Sequence, residues 1–313
     1  MRRRAVEWPT LAVAASIAAG FVAVLAWHRQ VPAALVVVAL AVLGAWYNSF
    51  QHEVVHGHPT RWRAVNTALA VLPLGLVVPF GAYREVHLLH HRTAGLTDPD
   101  ADPESFYVSA DTWARLGPVS RGAVIVLRTL AGRMLLGPPV AAVRWWAGLA
   151  GDAMTPRVAG RLLAHVAGVA GVLAVVRMAG VPIWIYVIGV AWGGGSLSLL
   201  RSFAEHRFVE GANRSAMVRS GPFLSLLFLN NNLHTTHHAR PAASWYSLPV
   251  LSERLGSDHI AAAGAGLYRG YGAIARHYLL RPFDQPVGPG RQPITVPDVA
   301  DGWRRREKAP RLI

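Results

Sequence analysis

The sequence predicts an all-α integral membrane protein. Four transmembrane helices form two hairpins under a histidine-rich cytoplasmic cap, with further helices lying in the membrane interface. Three observations carry that expectation. More than half of the 313 residues are hydrophobic and 15% are charged, against about 25% in a soluble domain. The apolar residues are gathered into long runs rather than scattered. The formal charge is +14, all but one of the basic residues are arginine, and all but two of the basic residues lie away from two particular short connections.

In chain order, MRRRAVEWP precedes an apolar run over 9–27. Its length, and the lack of a small-residue cleavage site, predict a retained first span rather than a cleaved signal. Further runs cover 31–50, 162–179 and 181–200, each close to the roughly 20 residues that cross a bilayer. Only 28–30 separates the first pair, and the second pair meets around Gly180, so each pair reads as a helical hairpin. Of the 31 basic residues, Arg29 and Arg177 alone lie at those two tips. The positive-inside rule then places both termini and the remaining charge on the cytoplasmic side, as expected of a bacterial cytoplasmic membrane protein.

Residues 64–80 are long enough for a fifth span, but Pro73, Gly75 and Pro79 interrupt them, which predicts a re-entrant or interfacial hairpin. Residues 122–150 interleave Arg128, Arg133 and Arg144 with apolar residues and contain Gly137-Pro138-Pro139. That pattern predicts interfacial helices, broken at the prolines, with arginines snorkelling outward. Residues 1–287 read as one membrane domain. Residues 288–313 read as a basic, proline-rich and loosely ordered tail.

Cysteine is absent. That excludes disulfides, thiolate-held zinc, cysteinyl iron–sulfur clusters and CxxCH haem attachment, so any metal is held by nitrogen or oxygen. No nucleic-acid-reading module accompanies the positive charge; anionic lipid is the expected counterpart, and nucleic acid is not.

Eight of the fourteen histidines fall into three clusters: His52 and His56; His87, His90 and His91; His234, His237 and His238. The spacings are HxxxH, HxxHH and HxxHH. Residues three or four apart share a helix face, so each cluster can present its imidazoles toward one point. At this histidine frequency a chance HxxHH is expected only about 0.03 times. His52 comes just beyond the second span, and His206, in LLRSFAEHR, just beyond the fourth. If the spans are hairpins, all the clusters return to one side, provided that 64–80 does not cross. Shared ligation demands an even number of crossings between the clusters.

QHEVVHGHPT also contains HExxH, the zinc-protease pattern in which Glu53 would be the general base. That reading leaves the other histidines unemployed. Counting His206, nine imidazoles exceed the four ligands of one zinc ion. A metal transporter, the non-enzymatic alternative, would carry ligands at the midplane of its spans, and these spans have almost none.

Glu53, Glu85 and Glu205 adjoin a candidate ligand or lie two residues before one. Each is a candidate either to accept the second ring N–H of a bound imidazole or to sit on a solvated face. His58 is expected near the ligands or at the surface, and His165, within the third span, in an interhelical hydrogen bond. His28, His259 and His277 read as structural or solvated. The run DPDADPE from Asp98 opens like a calcium loop, but it has Pro103 at the sixth position and Ser109 at the twelfth, which excludes calcium. It reads as a turn, or as a hydrogen-bonding shell around the second cluster.

The segments EVVHGH, YREVHLLHHRTAGLTDPDADPES, RSFAEHR and FLNNNLHTTHH, in this order between paired spans, resemble the membrane fatty acid desaturase superfamily from about Trp46 to Pro249. The resemblance implies a di-iron centre at the cytoplasmic membrane face, activating O2 with two electrons from an external donor such as a ferredoxin or a cytochrome b5-type protein. Carried over, its metal ligands would be His52, His56, His87, His90, His91, His206, His234, His237 and His238. It implies a membrane lipid or fatty acyl substrate, with desaturation as the reaction; hydroxylation or ketolation of a lipid or carotenoid is the alternative within the superfamily. In the acyl-CoA branch an asparagine four residues before the extra histidine holds one iron through water, whereas here Ser202 stands there. Ser202, Asn230 or Asn231 is then expected to substitute, or one iron has a more open coordination sphere. The departure points away from a CoA thioester.

Overall fold

A computed structural model describes residues 6–151 and 155–288; apart from Gly288, the expected basic tail lies outside the described residues. In chain order the helices are α1 (Trp8–Trp27), α2 (Ala33–Val55), α3 (Arg63–Ala70), α4 (Phe80–His90), α5 (Ala110–Arg115), α6 (Pro118–Leu127), α7 (Leu130–Gly151), α8 (Pro156–Met178) and α9 (Ile183–Ser202). Smaller elements follow: α10 (Pro222–Leu227), α11 (His234–Ala239), α12 (Leu248–Leu255), α13 (Ser257–Ala262) and α14 (Tyr271–Tyr278). The chain is mostly helical, with one departure from the all-α expectation. Two short strands, β1 (Met217–Val218) and β2 (Leu267–Tyr268), pair in parallel.

Helices α1, α2, α8 and α9 are long and apolar enough to cross a membrane, where the hydropathy runs place them. The apolar core lies among these four: Ile17 and Phe21 of α1, Leu40 and Phe50 of α2, Val176 of α8 and Val190 of α9 are all buried together. Helix α9 is π-helical over Val187–Gly194 and runs against α2 without an intervening side-chain layer. A Cβ added at Gly194 would fall 3.1 Å from Gly44 Cα, so the small residues allow backbone-to-backbone approach. At the far end of the bundle, a Cβ at Gly180 would meet Arg29 Nη2 at 2.5 Å. The two short connections therefore touch.

Residues 64–80 make no span. Helix α3 stops at Ala70, and the chain turns repeatedly until α4 begins at Phe80. Broken backbone among apolar helices leaves carbonyls without helical partners, and side chains of the spans supply them. The Tyr47 hydroxyl lies 2.9 Å from Ala70 O and 2.6 Å from Leu72 O, and Gln51 Nε2 donates to Ala70 O. Tyr186 donates to Leu74 O at 3.1 Å, and His165 Nε2 lies 3.0 Å from Leu76 O. His165 thus caps this segment rather than a neighbouring span.

The expectation for 122–150 needs two corrections. Helix α7 runs through Pro138 and Pro139, and the sharp bend, 110°, comes earlier, between α6 and α7. Thr129 makes the new start by accepting the Gly132 N–H on its Oγ1 (3.0 Å). Pro138 removes the N–H that would bind Met134 O, and Ser196 Oγ of α9 donates to that carbonyl instead, at 2.6 Å. Nor do Arg128 and Arg133 snorkel. Both are buried: Arg128 donates to Asp284 O and Phe106 O, and Arg133 donates to Leu127 O and lies 3.7 Å over the Phe106 ring. Arg144 is exposed.

Tyr47→Phe is expected to lower stability by about 1 kcal/mol, the net worth of one lost hydroxyl hydrogen bond, because Gln51 still donates to Ala70 O and the Leu74 N–H to Leu72 O. Unfolding of the purified protein in detergent, followed by tryptophan fluorescence, measures it.

Candidate metal centre

Helix α2 ends on His52 and His56, and α4 carries His87 and His90 in its last turn with His91 just past it. His234, His237 and His238 form most of α11. His206 follows α9 on an extended stretch bridged to Ser215. These segments converge, and the nine imidazoles sort into two groups, in each of which the ligand atoms lie within 4.8 Å of one another. One holds His52, His56, His87, His91 and His237; the other holds His90, His206, His234 and His238. The groups abut, with the His91 and His238 rings stacked at 4.4 Å.

The expectation that each cluster points at one place holds only for His52 and His56. Each HxxHH box divides: its i,i+4 pair goes to one group and the remaining histidine to the other. His87 and His91 join the group of five while His90 leaves it; His234 and His238 join the group of four while His237 leaves it. On a helix, i+4 lies about 40° from i and i+3 about 60° the other way. Two points of convergence, one on each side of the helix, separate what one would have shared.

The nitrogens fit metal ions. His234 Nε2 and His206 Nε2 lie 2.9 Å apart, His238 Nε2 and His234 Nε2 3.1 Å. In the larger group, His91 Nε2 is 3.1 Å from His87 Nε2 and 3.0 Å from His237 Nε2. Ligands about 2.1 Å from one ion stand about 3.0 Å apart at right angles and about 3.4 Å apart in a tetrahedron. The second ring nitrogens fix the tautomers. His87 Nδ1 donates to Glu104 Oε1 (2.9 Å), His90 Nδ1 to Asp102 Oδ1 (2.7 Å) and His234 Nδ1 to Asn231 Oδ1 (3.2 Å), while His206 Nδ1 faces Arg214 O (3.3 Å). With the proton on Nδ1, each Nε2 presents a bare lone pair. Lone pairs aimed at one another at 3 Å repel unless a cation lies between them.

Electrostatics keep most of these rings unprotonated. Burial first, and then the neighbouring imidazoles, push His91 down to about 2 and hold His234, His237 and His238 well below the usual histidine range. His90 is the exception. Burial opposes its charge, but the hydrogen bond to Asp102 and the carboxylates of Glu104 and Asp102 outweigh burial and raise it.

The carboxylates that orient histidines of the two groups are Asp102 and Glu104, from the DPDADPE run, which is both a turn, closed by the Asp102 N–H on Asp98 O (2.8 Å), and a hydrogen-bonding shell around the second cluster. An acidic cluster shortly after a histidine box was the available signal. Glu53 and Glu85 turn elsewhere, because one or two residues along a helix lie about 100° or 200° from the ligand. Glu53 accepts the Trp245 N–H (3.1 Å), and Glu85 pairs with Arg161 of α8 at 2.7 Å. With Glu53 so engaged, the protease reading has no base beside its histidines. Glu205 pairs with Arg201 (2.9 Å) and lies 3.5 Å from His234 Nδ1. Ser202 Oγ turns back to Leu199 O, and Asn230 Nδ2 donates to Trp245 O. Asn231 is the asparagine at the centre: its amide faces His52 Nε2 at 3.5 Å and its oxygen serves His234, one histidine from each group. His58 is neither at the surface nor turned to these ligands; it is buried, with Nδ1 2.8 Å from Glu7 Oε1.

A family model described as fatty acid desaturase matches residues 25–269, which takes in every histidine of both groups. Comparison with curated proteins gives no match.

Asp102→Asn is expected to weaken metal binding by the group of four about 10- to 100-fold and to leave the group of five unchanged. Metal titration with isothermal calorimetry, supported by elemental analysis, should show one of two equivalents lost.

Proposed function

The chain belongs to the fatty acid desaturase family, and from that premise we propose that it is an O2-dependent membrane di-iron desaturase acting on a lipid or fatty acyl chain. The observation that carries this reading is the sorting of nine imidazoles into adjoining groups of five and four. Two iron ions held there would supply the O2 activation needed to take hydrogen from an unactivated methylene. In balance, two neighbouring methylenes lose one hydrogen each, and these, with two electrons from an external donor and two protons, reduce O2 to two waters.

The chain's own residues hold and position. Asp102 and Glu104 keep His90 and His87 in the tautomer that leaves Nε2 open. A cavity of about 340 Å³ runs from Tyr83 and Arg201 to Val190 and Ala191, halfway along α9. The Tyr83 ring lies 5.6 Å from the His87 ring, so one end of the cavity adjoins the histidines while the other reaches bundle depth. Its deeper walls are small and apolar, suited to an alkyl chain and to the exclusion of water. No side chain acts as a nucleophile.

The two touching connections and the arginine distribution support a two-hairpin topology with the histidines on the cytoplasmic face. The arginine-rich surface there suits an acidic donor, a ferredoxin or a cytochrome b5-type protein.

Expression in a host without desaturases is expected to yield new double bonds, read by lipid mass spectrometry, and His237→Ala is expected to abolish them and to lower bound iron. Hydroxylated chains in their place would favour the hydroxylase reading. Donor-dependent turnover is expected to fall as salt rises from low to physiological strength; a flat profile would refute electrostatic docking.

A further inference from the structure

A second groove, of about 280 Å³, opens beside the acyl cavity between α4, α7 and α8. The two hollows share their walls. Pro138, Ala141 and Ala142 of α7 line the first, and Arg144 and Trp145, one helical turn further on, line the second. On the opposite wall, Val78 belongs to the first and Pro79 to the second. Where the hollows meet, Val78 and Ala141 are exposed. Both are apolar, so the first cavity opens sideways, at the flank of the bundle.

The second groove has a different chemistry. Arg161, near the start of α8, is held by Glu85 through two 2.7 Å hydrogen bonds. Arg144 has no hydrogen bond or ion pair among the described residues. Trp145 Nε1 is buried without an acceptor. Arg84 and Arg157 are close enough to act on the charge of Glu85. Arg144 and Arg161 thus line the groove together with Glu85, and Arg84 and Arg157 add positive charge near that carboxylate, beside an indole N–H that lacks a partner among the described residues. Guanidinium forks and N–H donors of this kind match phosphate oxygens, and arginine and tryptophan together mark the headgroup level of a membrane.

We propose that this groove binds the phosphate of a membrane phospholipid whose acyl chain occupies the adjoining cavity, so that the substrate reaches the histidines sideways from the bilayer with its headgroup attached. The proposal rests on the acyl-chain reading of the first cavity. The alternative source of phosphate is a soluble one, free phosphate or a nucleotide-bearing thioester. Against it, the only charged residue lining the acyl cavity among the described residues is Arg201, already engaged by Glu205 at 2.9 Å, and the lateral mouth is apolar. One turn of α7 sets the charged groove beside that mouth, the separation between a lipid's phosphate and the start of its chains.

The test counts lipid on the metal-loaded protein. Protein in mixed micelles of neutral detergent and dioleoyl phosphatidylglycerol is passed through gel filtration, and the retained lipid is measured by mass spectrometry. Arg144→Gln is expected to lower retention about fivefold, the effect of one basic residue at an anionic surface, with metal content unchanged. Ala141→Trp, which fills the mouth and alters no charge, is expected to lower it comparably. Inorganic phosphate and stearoyl-CoA, each equimolar with the lipid, are expected to displace little. Equal retention by wild type and Arg144→Gln would overturn the proposal, as would displacement by phosphate or by the thioester. Retention is read without turnover, so a protein that binds the lipid but makes no double bond would refute the desaturase reading and leave this site standing.

Discussion

Bare imidazole nitrogens buried face to face are the constraint on which the rest of this structure depends. Nine rings lie with their nitrogens in two tight groups, and several have the other nitrogen occupied by a carboxylate, an amide or a backbone carbonyl. Such lone pairs repel one another, and burial makes relief by protonation costly. Metal ions bound between the nitrogens would resolve the conflict. The fold's part is to bring together the ends of α2 and α4, the stretch after α9, and α11, and to hold them there before any ion arrives.

That convergence requires the chain to travel from His56 to His87 without leaving the side on which both lie. The segment between them is apolar enough to tempt a crossing, but it breaks at Ala70 and turns back. A broken backbone among apolar helices is tolerable only if its carbonyls find donors, and Tyr47, Gln51, His165 and Tyr186 are those donors. Polar residues within the spans are therefore part of the site's support. The histidine in α8 has a structural reason to be there and stands apart from the nine clustered histidines.

The same logic shapes α7. The carbonyl of Met134 that Pro138 leaves without its helical donor is taken over by Ser196 of α9. The helix stays continuous along the cavity that Pro138, Ala141 and Ala142 line, and these small residues leave room for the hollow. Arg128 and Arg133, at the bend before it, are buried against Phe106 and Tyr107 and tie α7 to the loop that carries Asp102 and Glu104. The helix that lines the cavity is thereby joined to the loop that holds the histidines.

The sequence by itself determined the class of the protein and the identity of its ligand-type residues. Hydropathy over 20 residues is a local property that reports its solvent, and the HxxxH and HxxHH boxes are local spacings whose chance frequency is low. Both were legible without any fold. The tertiary structure decided how those residues are shared. Whether His90 serves with His87 or with His206 depends on where a second point of convergence lies, which no spacing specifies. The roles of Asp102, Glu104 and Asn231, the turning of Glu53 toward Trp245 and of Glu85 toward Arg161, and the burial of Arg128 and Arg133 belong to the same kind. Each depends on a partner far along the chain, and a side chain's direction is set by the neighbour that satisfies its polar group, whereas its residue type and spacing are set by the chain alone.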